Sequence, residues 1–202
     1  MKTSKKSFAK YALSVCSICF AISILLSSCS KDDEPIAVVL EPLQDPLAGY
    51  LVATGFNQKV TNLINVADYE FGYSFIPLVN GKMTAIVVKI PDTKVAMRVT
   101  VWDKVAGTVL LTETIDVPTA NVEAVKQITA LLLVKDKEYF LTFNNNDWYD
   151  RRKTDGSAVA YPFTVGDIKI TSYGYKAGTA QAIPNSIQTT YYAGDCSFKF
   201  QK

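Results

Sequence analysis

The sequence predicts an all-β domain, an antiparallel β-sandwich of jelly-roll or immunoglobulin-like type, over residues 49–202. Three observations lead there. Apolar residues recur at every second position in several short segments, turn-forming pairs punctuate those segments, and no long segment after residue 48 repeats with a 3.6-residue period. Ahead of the domain, residues 1–28 read as a cleaved secretory leader and residues 29–48 as an acidic, proline-containing tether.

The leader carries Lys2, Lys5, Lys6 and Lys10 and no acid, followed by the apolar run from Tyr11 to Leu26. A basic start, an apolar middle and small residues before a break are the three parts of an export signal. Ser14, Ser17 and Ser23 interrupt the run and argue against a retained spanning helix, which is the alternative reading. From Ser30 to Ala48, Pro35, Pro42 and Pro46 stand among acids and scattered aliphatics, the composition of an extended spacer.

The run ends at Leu26-Ser27-Ser28-Cys29, which resembles the bacterial lipobox, where the cysteine is acylated and becomes the new N-terminus. On that resemblance Cys29 is the lipidation site; a chance cysteine beside a generic cleavage site is the alternative. A single acyl chain holds a protein to a membrane only marginally, whereas two or more hold it firmly. Behind Cys29, the tuft Lys31-Asp32-Asp33-Glu34 resembles the acidic export signals that place lipoproteins of the Bacteroidota on the outer face of the outer membrane. A solvated linker that happens to be acidic is the plainer alternative. The expected location is therefore the outer membrane, lipid-anchored and facing the cell exterior.

Charge and cysteine use agree with an exterior location. The whole chain has 21 Lys and Arg against 19 Asp and Glu; without the four leader lysines the basic count is 17, a net charge of −2. No basic block remains, which argues against nucleic acid as a partner. Cys16 and Cys19 leave with the leader and Cys29 is the acylation site, so Cys196 stands alone without a disulfide partner. Stability must come from a hydrophobic core, which a domain of about 150 residues can supply.

The strands follow in order. In "KVAMRVTVWD", Val95, Met97, Val99 and Val101 fall on one face, with Arg98, Thr100 and Trp102 on the other. "TVLLTETIDV" aligns Val109, Leu111, Ile115 and Val117, with Glu113 as an exception on that face. "TANVEAVKQITALLLV" is expected to open with a helical turn or to be strand throughout. "KEYFLTF" aligns Tyr139, Leu141 and Phe143, and "DCSFKF" aligns Cys196, Phe198 and Phe200. Asn80-Gly81, Pro91-Asp92, Ala106-Gly107 and Asp155-Gly156 mark turns between them.

Several of these segments, in this order, carry a resemblance. "EFGYSFIPLVNGKMTAIVVKI", "VTVWDKVAGTVLLTETI", "KEYFLTF" and the tyrosine-rich tail ending "DCSFKF" are similar to a β-sandwich domain family of unknown function in bacterial surface and secreted proteins. That family has an "xLWDxxGxLL" hairpin; Val99 and Thr100 stand near its usual leucine, and no "FY" follows Ile90. The resemblance spans about residues 50–202 and implies binding or display more than catalysis. It also implies that Trp102, recurrent in the hairpin, is a structural plug.

The chain has no histidine, which removes Ser-His-Asp and Cys-His nucleophile systems and the usual zinc sites. Cys196 alternates with apolar partners and reads as an inert core thiol. The ten glycines are dispersed and form no phosphate loop. The most suggestive segment is "NNNDWYDRRKTDG", residues 144–156, read as a loop. Its Trp148 and Tyr149 offer flat faces for sugar rings, while Asn144, Asn146, Asp147, Asp150 and Arg151 offer hydroxyl partners. Asn144, Asn146, Asp147 and Asp150 are also hard oxygen donors, so calcium is an alternative; no other metal and no cofactor is expected. An ordinary polar connection is the plain reading. Trp148 is expected to be exposed and Trp102 structural. Tyr173, Tyr175, Tyr191 and Tyr192 form either an exposed aromatic shelf or core filling.

The expected function is non-enzymatic binding of an extracellular ligand, with glycan first and a surface protein second. The alternatives are a structural adhesin or fimbrial-type subunit and, third, a glycoside hydrolase using a carboxylate pair.

Overall fold

The computed structural model describes residues 42–202. The leader, Cys29, the Lys31–Glu34 tuft and the tether up to residue 41 lie outside the described residues. Helix α1 (Pro46–Thr54) is followed by β1 (Lys59–Leu63), β2 (Tyr69–Pro77), β3 (Gly81–Lys89), β4 (Lys94–Asp103) and β5 (Thr108–Val117). Then come β6 (Ala124–Leu133), β7 (Tyr139–Asn145), β8 (Trp148–Arg152) and β9 (Phe163–Val165). The last are β10 (Ile168–Ala177), β11 (Ser186–Gln188), β12 (Tyr192–Ala193) and β13 (Asp195–Gln201). No helix among them is long and apolar enough to cross a membrane.

The strands build an all-β sandwich in which every pairing is antiparallel. One layer is a seven-stranded sheet in the order β11-β10-β2-β7-β4-β5, with β9 also on β10. Two three-stranded sheets, β13-β3-β6 and β1-β8-β12, face it. Phe75 of β2 meets Phe198 of β13 with ring centroids 4.7 Å apart, and Phe71 of β2 meets Trp148 of β8 at 4.9 Å. From β2 to β8 the chain crosses between layers at nearly every step, the β4–β5 hairpin excepted. That winding differs from the immunoglobulin order, which keeps A, B, E and D together.

Gly194 joins the two smaller sheets. Its φ of 88° bends the chain between β12, which pairs with β8, and β13, which pairs with β3. A Cβ at this position would overlap the Phe143 ring, so only glycine combines the backbone angle with the close approach.

The period of two places most core residues as expected: Met97, Val99 and Val101, then Tyr139, Leu141 and Phe143, then Cys196, Phe198 and Phe200 are buried. Val95 is a correction, since it is 81% exposed. Ala96 adopts φ 53°, donates its N–H to Asp116 Oδ1 at 2.7 Å, and the pairing register shifts between Lys94 and Met97. This bulge turns Val95 outward. Val109 is also exposed, near a second register shift. Glu113, the exception on its face, reaches Lys126 of β6 at 2.8 Å. The segment from Thr119 opens with a hydrogen-bonded turn, not a helix, before β6 begins.

The tether boundary also moves. Gln44 and Phe200 exchange backbone hydrogen bonds at 2.9 Å each, so the domain begins by Gln44 instead of residue 49. Asp45 caps α1 by accepting from Leu47 N at 3.2 Å, Pro46 occupies the first turn, and Gly55 closes the helix with φ 76°. Asp45 Oδ2 also pairs with Lys199 at 2.9 Å. Helix α1 packs on β9 and β13 and buries Tyr50.

Candidate functional site

Residues 144–156 do not form one loop. Asn144 and Asn145 end β7, Asn146 and Asp147 make the bend, and "WYDRR" is strand β8, paired with β1 and β12. Strand alternation therefore divides the expected binding set: Trp148, Asp150 and Arg152 face one way, Tyr149 and Arg151 the other.

Trp148 is a correction: it is only 6% exposed and packs edge-on to Tyr69 at 5.3 Å as well as against Phe71. It is buried because β8 lies in a layer closed over the large sheet. Tyr149 is buried on the opposite side, with its hydroxyl donating to Asn121 Oδ1 at 2.8 Å. Beside it, Arg151 forms a two-pronged ion pair with the buried Asp195 at 2.7 and 2.5 Å.

The possible calcium ligands do not come together. Asn144 donates to Gly178 O at 3.0 Å. Asn146 bonds Lys94 and Asn65, Asp147 accepts from Asn65 N at 2.7 Å, and Asp150 is engaged by Arg152. Each of the four side chains is engaged by protein groups, and no group of three or more His, Cys, Asp or Glu among the described residues is placed to hold a metal ion.

What the structure does assemble is an open cleft of about 210 Å³ between the β1-β8-β12 sheet and the β2–β10 part of the large sheet. Phe71 and Trp148 stand at its inner side, and Leu63, Tyr69, Tyr175 and Tyr191 complete the apolar lining. Tyr175 stands edge-on to Tyr69 at 5.7 Å and is tilted 37° to Tyr191 at 6.4 Å. The polar lining is the Asp150–Arg152 pair: Nε and one terminal nitrogen of Arg152 donate to the two Asp150 oxygens at 2.8 and 2.9 Å. The same guanidinium lies 5.1 Å from the Tyr191 ring centroid. Burial first, and then Tyr175 and Asp150, push the Tyr191 hydroxyl well above its usual range, so it stays protonated and can both donate and accept.

The four tyrosines divide the same way. Tyr173 and Tyr192 fill the core, while Tyr175 and Tyr191 are half-buried at the cleft. Arg152, Tyr69 and Leu63 are lining residues that the sequence reading did not single out. For Arg152 the available signal is the alternation Trp148, Asp150, Arg152, which is that of a strand; Tyr69 and Leu63 come to the cleft from β2 and β1 by tertiary packing.

Two other polar clusters are paired internally, apart from Arg98 Nε, which is buried without a hydrogen-bond partner. On the outer face of the large sheet, Trp102 Nε1 donates to Thr142 Oγ1 at 3.0 Å, Thr142 donates to Glu70 Oε1 at 2.7 Å, and Arg98 donates to Glu70 Oε2 at 2.7 Å. Burial raises the Glu70 carboxyl above the usual range, while Thr142 and Arg98 pull it back. The segment after Gly178 covers this face, with Gln181 bonding Thr100 and Thr112 and Thr179 O accepting from Arg98. Trp102 is thus a plug outside the main core. A second cleft, about 140 Å³, is lined by the Arg151–Asp195 pair together with Asp45 and Ser197, which bond each other. Cys196 is buried, and burial pushes its thiol far up, away from the reactive thiolate.

The chain matches no protein-family model, and no curated protein is significantly similar to it.

Proposed function

We propose that this is a lipid-anchored, non-enzymatic surface protein that binds a glycan in the cleft between β8 and the β2–β10 strands. The observation that carries this reading is the meeting of Tyr69, Trp148, Tyr175 and Tyr191 with a bidentate Asp150–Arg152 pair in one open cleft. Aromatic faces stack on the apolar faces of sugar rings, and a carboxylate beside a guanidinium accepts from and donates to ring hydroxyls. Asp150 is the one acid in the lining, whereas hydrolysis of a glycosidic bond uses two.

The test is titration of polysaccharides into the full chain carrying Cys29→Ala, followed by tryptophan emission. Trp148 reports on the cleft, while Trp102 lies on the far face of the large sheet. Tyr191→Ala and Tyr175→Ala are each expected to weaken binding about 10-fold, the upper range for one aromatic contact. Both rings are half-buried, so the melting temperature should move only a few degrees. Equal binding by both variants would remove the cleft from consideration.

The anchor has its own test. Cys29→Ala in the native host should move the protein out of the membrane fraction. A variant still membrane-bound after a carbonate wash would point to a retained helix instead.

One observation favours the fimbrial-type alternative. The outer edges of β5 and β6 carry no strand partner among the described residues, and Val109, Leu110, Val125 and Leu132 are exposed there. Edges without a strand partner invite strand addition by another chain, although Lys126 of β6 bridges to Glu113 and Thr114 O of β5 between these two. A solution mass that stays monomeric over a wide concentration range argues against this reading.

A further inference from the structure

We infer that the cleft takes one neutral sugar residue and reads two adjacent ring hydroxyls with Asp150 and Arg152 acting as a single unit. This rests on the glycan reading of the cleft and narrows it to a ligand class.

Charge comes first. Asp150 and Arg152 are the only charged residues in the lining, and they neutralise each other through two hydrogen bonds. Asp150 occupies one of the two two-pronged edges of the guanidinium, the one formed by Nε and a terminal nitrogen, so the cation is already matched by one carboxylate. One guanidinium face is also directed at the Tyr191 ring. An acidic sugar would therefore set two anions against the single cation of the lining, which disfavours the ionised form of one of them.

The remaining hydrogen-bonding capacity is that of a diol reader. Each Asp150 oxygen keeps a lone pair, and Arg152 keeps N–H groups not used on Asp150. Acceptor and donor stand side by side, 2.8 to 2.9 Å apart across the pair. Two neighbouring hydroxyls can meet this edge, one donating to Asp150 and the other accepting from Arg152. The tyrosine rings then face the carbon skeleton. Size sets the extent: a cleft of about 210 Å³ is below the roughly 300 Å³ at which drug-sized ligands are engulfed, so one ring enters.

The experiment uses the full Cys29→Ala chain with two groups of polymers. The neutral group is mannan, dextran and galactan; the acidic group is polygalacturonate, alginate and heparin. The expected result is binding to at least one neutral polymer with less than a twofold change in affinity between 50 and 500 mM salt, and none to the acidic group. A matching monosaccharide should compete, and its monodeoxy analogue lacking one of the two adjacent hydroxyls should compete at least 10-fold less well. Asp150→Asn, with unchanged circular dichroism, should lose neutral binding about 10-fold and gain salt-sensitive binding to an acidic polymer, because Arg152 is released. Should that variant not fold, Arg152→Gln supplies the same loss of neutral binding.

Wild-type binding to an acidic polymer that weakens with salt and still depends on Tyr191 would overturn the neutral-sugar inference while leaving the glycan site standing. Equal competition by the deoxy analogue would overturn the diol contact in the same way. Binding of no polymer in either group would overturn the glycan reading itself.

Discussion

Arg151→Ala is expected to lower the melting temperature at neutral pH by about 10 °C. Arg151 and Asp195 are 13% and 4% exposed, and the guanidinium makes two short hydrogen bonds to the carboxylate. Truncating one member of such a pair leaves the other charge buried without its main partner, at a cost of about 3–5 kcal/mol. In a domain of this size each kcal/mol moves the midpoint by about 2–4 °C. The double variant Arg151→Ala/Asp195→Asn should recover much of the loss, because it removes the stranded charge along with its partner.

The pH dependence has a definite sign. Burial already raises the Asp195 carboxyl above its usual range against the pull of Arg151, and loss of Arg151 raises it further. A carboxyl whose folded pKa exceeds its unfolded one holds its proton more tightly when folded. Stability therefore rises as pH falls through the raised value and levels off below the unfolded value, about 3.9. The deficit of Arg151→Ala should shrink on acidification across that window. A deficit independent of pH would mean that lost packing, not the stranded charge, causes it.

Trp148→Ala is the second large effect. The ring is nearly inaccessible and sits against Phe71 and Tyr69, so truncation should cost about 3–5 kcal/mol, again about 10 °C. The same substitution removes part of the cleft lining and should weaken ligand binding together with stability. Trp102→Ala should also destabilise, through loss of burial and of the Thr142 hydrogen bond, without touching the cleft. A melting curve for Trp148→Ala that overlays the wild type would contradict the packing described here.

The fate of Trp148 shows where sequence reasoning reached and where it stopped. Strand faces were legible wherever apolar and polar residues alternated cleanly, as at Met97, Val99 and Val101 or Cys196, Phe198 and Phe200. Val95 broke the pattern because a positive φ at Ala96 inserts a bulge that no residue preference announces. "WYDRR" obeyed the same alternation, but its polarity suggested a loop. A strand whose faces carry an Asp–Arg pair on one side and a buried Arg–Asp pair on the other is polar for structural reasons. Helix α1 had its signals, Asp-Pro at one end and Gly55 at the other, within a stretch whose prolines read as spacer. The cleft was legible only in pieces. Its residues come from β1, β2, β8 and β10 and from Tyr191 just before β12, and it exists because strands distant in sequence pair side by side.

The way the chain enters the domain bears on how the molecule carries tension. Gln44 is bonded to Phe200, and Asp45 to Lys199, so a pull from the N-terminal side is delivered to β13. Through Gly194 that strand runs on into β12, which is paired with β8, the strand that carries Trp148, Asp150 and Arg152. If a ligand in the cleft is dragged while the N-terminus is held, force reaches Gln44 from β8 by two routes, through β12 and β13 and through β1 and α1. The β4–β5 hairpin lies off both routes. Under such a pull the load would fall on the two smaller sheets and α1, leaving the far edge of the large sheet unloaded.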